Sequence, residues 1–171
     1  WELPYVYHNG TTICRSGNYP AYSLLINKVV DAHGQETINY HDKYNRLICM
    51  KVKDNSSGSG YLITYYIYND LGKLMHIVPP KASEQLLSNN CISNPDELCF
   101  AYKYDKFGSV VEKYTPGKDG PDEVIYDVNY KPVMSRSANM TNNSQWAFTI
   151  YDGQGRAMMS GIYTGSESTT Y

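Results

Sequence analysis

The chain has 171 residues, with 15 Lys and Arg against 17 Asp and Glu, a net charge of -2 and a pI near 6.1. No basic patch stands out, which argues against a nucleic-acid partner, and no apolar run approaches the roughly 20 residues a membrane-crossing helix needs. Hydrophobic residues at 42% can build the core of one domain or of one segment in a repeat array.

In chain order, residues 1–20 are Tyr-rich with turn signals at Asn9-Gly10 and Ser16-Gly17-Asn18, and read as one or two short strands or an extended lead-in. Ala21 to Val30, Gln35 to Tyr40 and Leu47 to Val52 read as strands. Residues 54–60 form a polar Gly/Ser loop, the best internal breakpoint. Tyr61 to Tyr68 is the strongest strand, with Tyr61, Ile63, Tyr65 and Ile67 on one face. Leu74 to Val78 follows and is closed by Pro79-Pro80. Lys81 to Asn89 is the one expected helix, with a short apolar face at Ser83, Leu86 and Leu87 and a stop at Asn89-Asn90. Asn90 to Glu97 reads as loop. Strands then resume at Leu98 to Tyr104, Val110 to Tyr114, Glu123 to Tyr126, Val133 to Ser137, Gln145 to Tyr151 and Ala157 to Tyr163. Loops at 116–121 and 138–144 separate them, and 164–171 reads as a frayed tail.

One pattern joins these strands. An aromatic or aliphatic residue is followed by Asp or Asn, two variable residues, Gly or Asn, one more, and an apolar residue. Tyr68-Asn69-Asp70-Leu71-Gly72, Tyr104-Asp105-Lys106-Phe107-Gly108 and Tyr151-Asp152-Gly153-Gln154-Gly155 are clear copies. His41-Asp42-Lys43-Tyr44-Asn45 has His for Tyr and Asn for Gly, Asp31 to Gly34 keeps the centre, and Tyr126-Asp127-Val128-Asn129-Tyr130 has lost its Gly. The Asp or Asn opens a turn by bonding its own backbone, the Gly supplies positive φ, and the flanking runs form a hairpin. Six copies predict a mostly antiparallel, all-β meander of about ten strands. Eighteen tyrosines against three phenylalanines suit such sheets, because the ring packs while the hydroxyl keeps a polar partner.

Chemistry is hard to find in this pattern. The turn acids are single and separate, whereas calcium needs six to eight converging oxygens. Asp119, Asp122 and Glu123 form a denser acidic loop that is the best place for a weak ion site. His8, His33, His41 and His76 are scattered, with no partner at metal-ligand spacing, and no nucleophile elbow or phosphate loop is present. No cofactor is expected and the chain does not read as an enzyme. Trp1, Trp146 and the tyrosines could form a glycan platform, but Trp146 shares a strand face with Phe148 and Ile150 and reads as core. None of the four cysteines forms a C-x-x-C pair. Cys91 and Cys99 flank a loop a disulfide could close; the competing reading is buried small hydrophobes, favoured for Cys49 and Cys99.

The six turns resemble the YD repeats of RHS and teneurin-like proteins over about residues 20–163. The stretch Tyr65 to Leu74 with Val78-Pro79-Pro80-Lys81-Ala82, the stretch Leu98 to Asp105 leading to Glu112-Lys113-Tyr114-Thr115-Pro116-Gly117, and Trp146 to Asp152 leading to Ser160-Gly161-Ile162-Tyr163 resemble RHS proteins of Bacteroidetes-type bacteria. The resemblance implies a β-sheet that spirals into a hollow shell, around a C-terminal toxin in bacteria or serving cell adhesion in animals. It implies an extracellular or cell-surface parent, with neighbouring repeats, a toxin domain, or a surface protein or glycan as partners. The chain begins without Met in mid-pattern, which reads as a piece of that parent, 1–171 being one repeat segment. Open sheet edges in such a piece invite homodimers by edge pairing.

Overall fold

The structure is a computed structural model that describes residues 3–54 and 60–165. The Gly/Ser loop at 55–59, Trp1 and the end of the expected tail lie outside the described residues. The chain divides into two compact units, the first ending at Phe100 and the second starting at Ala101.

The first unit opens with β1 (Pro4–His8) and β2 (Ile13–Asn18), an antiparallel pair joined across Asn9-Gly10. Then come β3 (Leu25–Val30), β4 (Glu36–His41), β5 (Leu47–Lys53), β6 (Tyr61–Tyr68) and β7 (Leu74–Val78), each antiparallel to the next. Pro79-Pro80 ends β7 and starts α1 (Pro80–Asn89), because proline at the first helical position sacrifices no hydrogen bond. Asn90, with φ 65°, closes the helix in the left-handed conformation that Asn tolerates. Ala82, Ser83 and Leu86 are its buried residues, and the helix packs against β2 and β6.

The expected loop at 90–97 differs from the structure. Cys91–Ile92 forms β8, which pairs with β2, and Pro95–Leu98 is a helical turn, α2. The core of this unit gathers Leu3, Ile13, Tyr40, Cys49, Tyr65, Ile67, Val78, Leu86, Ile92 and Cys99. It therefore draws on the lead-in, the meander and α1 together.

The second unit is a meander of β9 (Phe100–Tyr104), β10 (Val110–Tyr114), β11 (Asp122–Tyr126), β12 (Pro132–Arg136), β13 (Gln145–Tyr151) and β14 (Ala157–Thr164), each antiparallel to the next. Part of the expected loop at 138–144 is a helical turn, α3 (Ala138–Thr141), so the described residues hold three helices where one was expected. Trp146 is fully buried, as expected of core, with the Arg136 guanidinium 4.2 Å from its ring centre. Ile150, on the same strand face by alternation, is exposed where the strand nears its turn. Thr164, assigned to the tail, pairs with Gln145, and the Gly165 amide donates to the Ser144 carbonyl. The fold is mostly antiparallel β, as the alternating pattern and turn signals foretell.

The cysteines settle differently from the loop-closing reading. Cys14 and Cys91 are register partners on β2 and β8 and form a disulfide, 77 residues apart in sequence. Cys49 and Cys99 are free and buried. Burial pushes both thiols up to about 12, so they pack as small hydrophobes. Cys99 follows α2 into the core, whereas β8 places Cys91 opposite the lead-in, a pairing no local spacing reveals.

Candidate functional site

The six repeat turns share one hydrogen-bond plan. In each, the Asp or Asn carbonyl accepts the amide three residues on, and its own amide donates to the carbonyl four residues on. The pairs are Asp31 with Gly34 and Gln35, Asp42 with Asn45 and Arg46, Asn69 with Gly72 and Lys73, Asp105 with Gly108 and Ser109, Asp127 with Tyr130 and Lys131, and Asp152 with Gly155 and Arg156. The side-chain oxygen then accepts the amide four residues on at 2.8–3.0 Å in every copy. In the five aspartate copies it also accepts the amide two residues on. The turn acids are consumed by their own backbones, which is why they do not converge on an ion.

The fourth turn position is left-handed throughout, with φ from 76° to 92° at Gly34, Gly72, Gly108 and Gly155, and 60° at Asn45. In the copy with neither Gly nor Asn at this position, Tyr130 itself takes φ 59°. A bulky residue there costs about 1–2 kcal/mol. The Tyr130 ring meets Phe107 of the preceding turn edge to face at 5.4 Å, a contact that offsets part of that cost.

The residue before each turn pairs with the residue five after the Asp or Asn, as in Tyr68 with Leu74 and Tyr151 with Ala157. In five copies the next residue of the exit strand is an extra, bulged one: Ile48, Met75, Val111, Val133 and Met158. The Asp31 hairpin has no such shift. Topology separates it too. Alternate connections of an antiparallel meander fall at opposite ends, so in the first unit the Asp42 and Asn69 turns share one end and the Asp31 turn lies at the other. In the second unit the Asp105, Asp127 and Asp152 turns share one end.

Turns that share an end are tied together by the repeat tyrosine. The Tyr68 hydroxyl donates to the Leu47 carbonyl at 2.9 Å, Tyr126 to Val110 at 3.0 Å and Tyr151 to Pro132 at 3.1 Å. Each acceptor lies five residues after the preceding turn's Asp. A basic residue one position earlier completes two of these latches. Arg46 lies 5.0 Å from the Tyr68 ring centre, and Lys131 lies 5.2 Å from that of Tyr151. The same cations lie beside the next turn's glycine, in ordinary contact range at Gly72 and tightly at Gly155. A Cβ on Gly72 would meet Arg46 at 3.7 Å, and one on Gly155 would collide with the Lys131 amine. Sequence reasoning placed the tyrosines as half-buried strand ends but missed the latch. The signal that could have found it is the basic residue recurring four after the turn acid, at Arg46, Lys73, Lys131 and Arg156. His41 replaces Tyr where the preceding turn lies at the far end of the sheet, so no latch partner is within reach.

Two of the turn acids, Asp42 and Asp152, have lowered pKa values. Burial works to raise the Asp42 pKa, but the Arg46 amide and guanidinium and the Tyr44 amide hold it below the ordinary carboxylate value. Asp152 is lowered by the Arg156 amide and guanidinium. Of the acidic loop, Asp122 pairs with Lys118 at 2.8 Å and Glu123 with Arg136. Register adds a ladder that sequence reading missed. Lys103, Glu112, Glu123 and Arg136 are successive partners on β9 to β12, and Lys103 bonds Glu112 at 2.7 Å. The two buried acids are adjacent on the sheet, but each has its own cation, a structural arrangement rather than a poised acid and base. Among the described residues, no three His, Cys, Asp or Glu gather as a metal site.

No protein-family model matches the chain, and no curated protein matches it. Solved structures similar to it include three crystal structures. That of TcdB2-TccC3-Cdc42 aligns with 80% of the chain at TM-score 0.60 and 19% identity. Those of TcdB2-TccC3, and of TcdB2-TccC3 without its hypervariable C-terminal region, each align with 97% of the chain at TM-scores of 0.59 and 0.60 and 15% and 16% identity. The fold is RHS-like. This chain spans 6–8% of the length of those solved chains.

Proposed function

We propose that this chain is a non-enzymatic wall segment of a larger exported protein whose repeats form a β-sheet shell around a toxin. The observation that carries this reading is the latch. Successive turns on one end of the sheet are built alike and tied tyrosine to exit carbonyl, a device for extending a sheet hairpin by hairpin rather than for holding a ligand. The RHS-like fold supports it, as does the small share of the similar chains that this one spans. The Cys14–Cys91 disulfide supports an extracellular or cell-surface location, since such bonds persist in oxidising compartments.

A second reading is a cell-adhesion module that binds a partner protein or glycan. The observation favouring it is the exposure of apolar turn tips, Leu71 in the first unit and Phe107 and Val128 in the second.

The test is electron microscopy of the native parent with its reading frame determined on both sides of this segment. Further Tyr-Asp turns in a closed wall around a compositionally distinct domain are the expected result. A parent with no enclosed volume, binding cells through the turn tips, would overturn the shell reading in favour of adhesion.

A further inference from the structure

The lead-in hairpin of the first unit is fastened unevenly. β2 is fixed at its start: Ile13 is fully buried, and Cys14 is bonded to Cys91 of β8. The Arg15 amide donates to the Asn90 carbonyl at 2.9 Å, and its Nε donates to the Asn90 side-chain oxygen at 2.8 Å. β1 is fixed at the other end, where buried Leu3 accepts the Tyr19 amide on its carbonyl. Between these points run residues 5–12, none of them buried, through an exposed turn at Asn9-Gly10. At the tip of β1 the contact with the meander is a pair of histidines. The His8 ring lies 4.4 Å from that of His76 on β7. His76 is 6% exposed, and its Nδ1 is buried with no hydrogen-bond partner among the described residues. Its partner on β6 is Ile67, which carries no charge. The titratable groups that bear on it are His8 from β1 and Asp96 from α2. A neutral imidazole fits this place. An imidazolium there is a buried cation against a second histidine, with Asp96 opposing.

We propose that His8 and His76 form an acid-released clasp: when His76 takes up a proton, the tip of β1 and the Asn9-Gly10 turn lift from β7, while Leu3 and the Cys14–Cys91 bond hold the hairpin at both ends. Lifting this stretch gives up the His8 to Ile13 pairing and partly buried side chains, whereas lifting β2 breaks a covalent bond and exposes Ile13. In the lifted state the imidazolium and its Nδ1 reach water. β1 from Tyr5 to His8 also walls a cavity of about 370 Å³, shared with Arg46 and Tyr66, so release of the tip opens that cavity. Neither histidine is a turn or latch residue, and the clasp works alike in a shell wall or an adhesion module. The sign is fixed by linkage. His76 sits at about 4 when closed and near the ordinary 6.5 when lifted, so acid favours opening, by about twentyfold between pH 7 and pH 5.

The test is native-state amide exchange of the full chain, as protection relative to the unfolded rate at each pH, with and without low urea. Residues 5–9 are expected to be less protected than 14–18 and 47–53. Their protection should fall about twentyfold from pH 7 to pH 5 and respond weakly to urea, because a local opening exposes little surface. His76→Phe, which keeps a ring but cannot take a proton, should remove the fall. Equal protection and equal urea response in all three segments overturns the proposal, since the tip would then open only by global unfolding. So does a fall that persists in His76→Phe, or no fall at all. Should that variant not fold, the His76 ring signals of the unaltered chain serve instead. Proton uptake there must track the loss of protection at residues 5–9, and uptake without that loss overturns the clasp equally.

Discussion

At the turn positions single atoms decide the backbone. A carboxylate that accepts two amides of its own turn replaces water that the tight chain excludes, and a left-handed residue then redirects the chain into the next strand. Gly108, at φ 92°, is such a residue. Gly108→Val should lower unfolding free energy by about 1–3 kcal/mol in urea titration, through strain at positive φ. His76 makes a second prediction at this scale. Burial, and then the charge of His8, whose ring lies 4.4 Å away, lower its pKa to about 4, while Asp96 pulls the other way. The folded state therefore holds His76 neutral while the unfolded chain takes up a proton near pH 6.5. Stability from this group is complete above about pH 6.5 and is lost as pH falls toward 4, on the order of 3 kcal/mol. Denaturation midpoints across that window should fall, and His76→Phe should flatten the profile.

For the hairpins, the repeat is a two-part device: one part closes a turn and the other latches it to its predecessor. The first part was legible because its residue types are specific. Asp, Gly and the flanking apolar runs each have a local reason to stand where they do. The second part was not, because the acceptor is a backbone carbonyl on a neighbouring strand, about twenty residues away and without a side-chain signature. Tyr126→Phe should cost about 0.5–1.5 kcal/mol in thermal or urea unfolding, while Tyr22→Phe, at a fully exposed side chain, should cost nothing measurable. The bulges at Ile48, Met75, Val111, Val133 and Met158 belong to this scale too, since an extra residue in one strand increases local twist.

For the molecule as a whole, the first unit depends on a bond that joins its beginning to its end. The Cys14–Cys91 disulfide ties the lead-in to the strand after α1 and closes a 77-residue separation. In the chain-entropy view, a loop of that length contributes on the order of 4 kcal/mol by restricting the unfolded chain. Melting with and without reductant should show the first unit losing stability when the bond is cut. Cys14→Ser should reproduce the loss, and should make the melt insensitive to reductant.

The sequence by itself determined the class of fold, the six turn positions, most of the strands and the helix after Pro79-Pro80. Each of these is set by a residue's own conformational preference or by alternation within one strand. The tertiary structure alone decided the Cys14–Cys91 pairing, the short elements β8, α2 and α3, the Lys103-Glu112-Glu123-Arg136 ladder and the tyrosine latches. All but the short helices depend on register between strands, which brings together groups distant in sequence. The helices are single turns, too brief for periodicity to announce them. Glu112 and Glu123 show the limit plainly: eleven residues apart on either side of a Pro-Gly loop, they become neighbours only when β10 and β11 pair.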